Sequence, residues 1–127
     1  AQDIDPSEAT RLCSGDLLPD WYDDWLVMNR EQFRQQRLHA LETLAQRLLQ
    51  DGRAAEAVSA AMAAVAAEPL RESANRVLIA AHLAEGNACE ASRHYAIYER
   101  LLLDSLGLVP STAMERLVAP ITMQRGA

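Results

Sequence analysis

A chain of 127 residues, half of them apolar and 5% aromatic, is long enough to bury a core and has the composition of one globular domain. Its formal charge of −6 argues against direct nucleic-acid binding, which needs clustered positive charge against phosphate. Five Gly and five Pro are too few for a sandwich of many short strands, and the abundance of Ala, Leu, Arg, Glu and Gln predicts an all-α fold.

In chain order, Asp5-Pro6-Ser7-Glu8 reads as a helix start, with Asp5 as N-cap, Pro6 in the first helical position and Glu8 in capping-box register. A short helix to about Cys13 follows. Gly15 and Pro19 then punctuate an acidic connection into a long helix over about Asp24 to Gln50, where Asp23 and Asp24 suit the positive N-terminal turn. Leu38, Leu41, Leu44, Ala45, Leu48 and Leu49 follow the helical period and predict its buried face. The next helix, about Arg53 to Glu68, holds nine alanines and is expected to bury Val58, Ala61, Met62 and Val65, with Pro69 as its stop. The run Val77 to Ala84 is apolar nearly all round, which places a helix over about Leu70 to Glu85 at the centre of the stack. A fifth helix, about Asn87 to Leu106, carries Ala91, Tyr95, Tyr98 and Leu102 on one stripe and ends at Gly107. A last helix starts after Pro110, capped by Ser111 or Thr112, with Thr112 and Glu115 in capping-box register and Leu117 and Val118 covering the final repeat.

Gly52-Arg-Ala-Ala-Glu56-Ala57 recurs 34 residues later as Gly86-Asn-Ala-Cys-Glu90-Ala91, the period of a tetratricopeptide-like helical hairpin. Each Gly is placed to end a helix at positive φ, and Ala57 and Ala91 fall where two helices cross closely. The expected fold is a right-handed, antiparallel helix-hairpin stack of about six helices, with residues 1–127 forming a single domain and the terminal helices acting as caps. The opening Ala1-Gln2 points to a piece of a longer polypeptide.

Cys13 and Cys89, 76 residues apart, read as free thiols of a reducing compartment. With no apolar run long enough for a membrane span and no leader pattern, a cytoplasmic location is expected. His82, Cys89 and His94 have neither zinc-finger nor His-Glu-x-x-His spacing. His82 is read as a buried histidine near a helix end and His94 as an exposed helix residue. No G-x-S-x-G, P-loop or dinucleotide fingerprint occurs, so neither an enzyme nor a bound cofactor is expected.

Arg30, Arg34 and Arg37 stand at i, i+4 and i+7, a basic stripe on an acidic chain. Its ordinary reading is the solvated face of an amphipathic helix, and its alternative is a docking patch for an acidic partner. Trp21, Tyr22 and Trp25 read first as a hydrophobic staple beneath the long helix, with an exposed aromatic anchor as the alternative. A groove lined by the first helix of each hairpin offers His39, Glu42, Gln46 and Arg76, a set mixed in charge and without a Lys/Asn clamp for a C-terminal carboxylate.

Gly15-Asp-Leu-Leu-Pro-Asp-Trp-Tyr-Asp-Asp-Trp25, the Arg/Gln-rich helix with Arg30, Phe33 and Arg34, the junction Glu68-Pro-Leu-Arg-Glu72 and the ending Leu106-Gly-Leu-Val-Pro-Ser111 occur in one order. Over about residues 9–118 they resemble the bacterial transcriptional activator domain of SARP-type regulators, with Glu68 in place of that family's usual Asp. The resemblance implies a tetratricopeptide-like domain attached to a separate winged-helix domain that makes the DNA contacts. It also implies protein partners: self-association, RNA polymerase or a sensory domain. A stand-alone peptide-binding adaptor using His39, Gln46 and Arg76, and a small-molecule sensor with an apolar pocket, are the alternatives.

Overall fold

Helix after helix fills residues 20–125, the part of the chain that the computed structural model describes, with side-chain environments through Ile121. The described helices are α1 Asp20–Gln50, α2 Ala54–Ala67, α3 Glu72–Ala84, α4 Ala88–Leu106 and α5 Thr112–Arg125. The helix expected over Asp5 to Cys13 lies outside the described residues. Among the described residues the fold is all-α, consistent with a tetratricopeptide-like stack. Two compact units are distinguished, the division falling within α1 between Gln36 and Arg37.

In the second unit the two repeat glycines close their helices identically. Gly52 has φ 75° and Gly86 φ 82°. At the first turn Gly52 N donates to Leu49 O and Arg53 N to Leu48 O; at the second, Gly86 N donates to Leu83 O and Asn87 N to His82 O. This paired pattern satisfies the last carbonyls of each helix and requires a left-handed residue at its centre. The 34-residue sequence repeat is therefore a repeat of hydrogen bonding.

Small side chains set the packing distances between α2, α3 and α4. Ala57, Ala60, Ala61 and Ala64 form the buried face of α2, and Ala91 on α4 is fully buried. Ala60 and Ala61 meet Val77 and Leu78 of α3 together with Ala45 of α1, while Ala64 meets Ala74 and Leu38. Further along, Ile79, Ala91, Tyr98 and Leu102 close over Met114, Val118 and Ile121 of α5. As its apolar run predicts, α3 is central, packing against α2, α4 and α5.

Several side chains depart from the expected faces. Met62 is exposed rather than buried, because it sits about 100° round the helix from Ala61. Leu44 is also exposed, about a third of a turn away from the arc shared by Leu38 and Ala45. The long helix begins at Asp20, four residues before the expected Asp24, with Asp20 and Asp23 in its positive first turn. At the start of α5 the capping oxygen belongs to Ser111: its Oγ accepts from Met114 N at 3.3 Å, which displaces the capping box expected for Thr112 and Glu115.

Candidate interaction surface

Among the described residues two polar side chains, Glu42 and Asn75, are buried, and each is held by a small hydrogen-bonded cluster. The junction Glu68-Pro-Leu-Arg-Glu72 between α2 and α3 acts as a clasp. Arg71 Nε donates to Glu42 Oε1 at 2.6 Å, and Ser73 Oγ donates to the same oxygen at 2.7 Å. Glu72 accepts from both the backbone N (3.0 Å) and the Oγ (2.7 Å) of Ser111, tying the start of α3 to the start of α5. Asn75, buried in the first turn of α3, donates from Nδ2 to Pro69 O and Arg71 O at 2.9 and 2.8 Å.

Those two bonds orient the Asn75 amide, so its Oδ1 must accept, and the 2.7 Å contact to His94 Nε2 is a hydrogen bond donated by the imidazole. His94 is thus half-buried and engaged rather than exposed as expected, because α4 turns this position toward α3. Burial, and secondarily the nearby His82, push its pKa below the usual histidine value. His82, expected to be buried near its helix end, is only part-buried there, with an Nδ1 that is itself buried and has no hydrogen-bond partner among the described residues. Burial also raises the phenols of Tyr95 and Tyr98, which stay neutral.

The expected partner-binding residues divide under this geometry. Arg30, Arg37, His39 and Gln46 are exposed on α1. Arg34 forms a two-pronged pair with Glu31, through Nη2 at 2.7 Å and Nε at 3.1 Å, and Gln35 adds a third bond at 3.0 Å. The bonds from Arg34 and then Gln35 hold the Glu31 carboxyl down to about 2. The basic stripe is therefore neutralised at its middle, a compensation visible in sequence as Glu31 three residues before Arg34.

In the expected groove set, Glu42 is buried beneath Arg71, and Arg76 leans on Glu72 at 3.5 Å. His39 and Gln46 remain as the exposed members of that set. The partnership of Arg71 and Ser73 with Glu42 is not legible in sequence, because each meets it across about thirty residues, a separation at which no helical spacing rule operates.

At the start of α1 the aromatic cluster also differs from the expected staple. Tyr22 is buried, but Trp21 is 61% and Trp25 37% exposed. Their rings flank Tyr22 at centroid distances of 6.2 and 5.9 Å. All three lie within α1 itself, since the helix starts at Asp20, so they cannot sit beneath its entry. Cys89 is an exposed free thiol, whereas Cys13 lies outside the described residues. Among the described residues no helix is long and apolar enough to cross a membrane.

The family model described as the bacterial transcriptional activator domain matches residues 5–122. The chain is also 36% identical over 109 residues to the regulatory protein AfsR of Streptomyces coelicolor, an alignment covering 86% of this chain and 11% of AfsR. The chain thus spans about a tenth of the length of that relative. No solved structure matches it. Matched by the family model over nearly its whole length, the chain belongs to the bacterial transcriptional activator domains of SARP-type regulators.

Proposed function

We propose that the chain is a non-enzymatic interaction domain, without a cofactor, that couples a separate winged-helix DNA-binding domain to self-association, signal input or RNA polymerase. The observation that carries this reading is the division of polar groups: the clasp residues satisfy one another inside, while Arg30, Arg37, His39 and Gln46 stand exposed along α1. Helices α2 to α5, locked by buried alanines and the clasp, act by geometry, fixing where a partner sits relative to promoter-bound protein. Exposed guanidinium groups on an acidic chain favour acidic partner surfaces and speed their encounter.

Under this division of labour, DNA affinity belongs to the winged-helix domain. The chain of 127 residues, at net charge −6, is expected to show negligible duplex-DNA binding at moderate salt, while the full regulator binds its promoter. Fluorescence anisotropy with promoter DNA tests it. Tight, sequence-specific binding by the 127-residue chain would refute the proposal.

A further inference from the structure

We draw no further inference here: the strongest candidate, the open groove between α4 and α5 lined by Ala88, Ser92, Ala96, Ile97 and Ile121 beside the exposed Cys89 thiol, is an unpartnered apolar face, and nothing in the structure shows what covers it.

Discussion

Arg71 and Glu42, 29 positions apart in sequence, form an ion pair of 2.6 Å in which the carboxylate side chain is 8% exposed and the guanidinium 24%. The pair joins the α2–α3 junction to the second half of α1, with Ser73 completing the carboxylate's hydrogen bonds. Removing the cation strands a buried carboxylate, whereas neutralising the acid leaves an arginine that still reaches water. Arg71→Met is therefore expected to destabilise by about 2–4 kcal/mol and Glu42→Gln by only about 1 kcal/mol. Denaturant midpoints at unchanged m-value check this order. The reverse order would show that the pair does not hold the junction.

Close helix crossings give a second expectation. Ala57 and Ala91 are fully buried, so Ala57→Leu and Ala91→Leu each force extra methylenes into packed space and should cost about 1–3 kcal/mol. Ala63 is exposed on the same helix as Ala57, and Ala63→Leu should change stability by less than about 0.5 kcal/mol. Equal midpoints for all three variants would contradict the packing described for α2 and α4.

The burial of His94 makes stability depend on pH in a defined direction. His94 titrates below its unfolded value of 6.5, chiefly because burial disfavours its charged form. The folded state therefore binds fewer protons than the unfolded state as pH falls through 6.5, and stability declines on acidification. Its contribution is fully present above 6.5 and is lost as pH drops toward the lowered folded value. Thermal melts from pH 7.5 to 5.5 should show this decline, and His94→Gln, which keeps a donor for Asn75, should flatten it. A slope unchanged by that substitution would assign the proton uptake elsewhere.

Local signals were legible in the chain. The glycine repeat predicted both positive-φ turns, the alanines at Ala57 and Ala91 predicted close contacts, and the apolar run around Leu78 predicted a central helix. Tertiary choices were not. The α2 face is chosen by how near α3 approaches, which favours Ala60 and Ala64 over the larger Met62. His94 is drawn in by Asn75, nineteen residues away, and of the two caps offered by the sequence Ser111 is the one used, held also by Glu72, 39 residues away. In the candidate surface, periodicity identified the Arg30, Arg34 and Arg37 stripe, and the structure added that Glu31 neutralises its middle member.

Replacing Arg30, Arg34 and Arg37 together by Gln in the full regulator tests the central claim most directly. Arg30 and Arg37 are exposed, and the Arg34–Glu31 pair is exposed enough to contribute little to stability. Thermal stability should shift by no more than about 0.5 kcal/mol and promoter binding should be retained. Lost partner contacts should instead lower transcriptional activation and weaken the salt dependence of partner association. A promoter-reporter assay, paired with a thermal melt and a promoter-binding measurement on the same variant, gives the answer. The account predicts reduced activation with melting and promoter binding intact; normal activation with normal melting would contradict it.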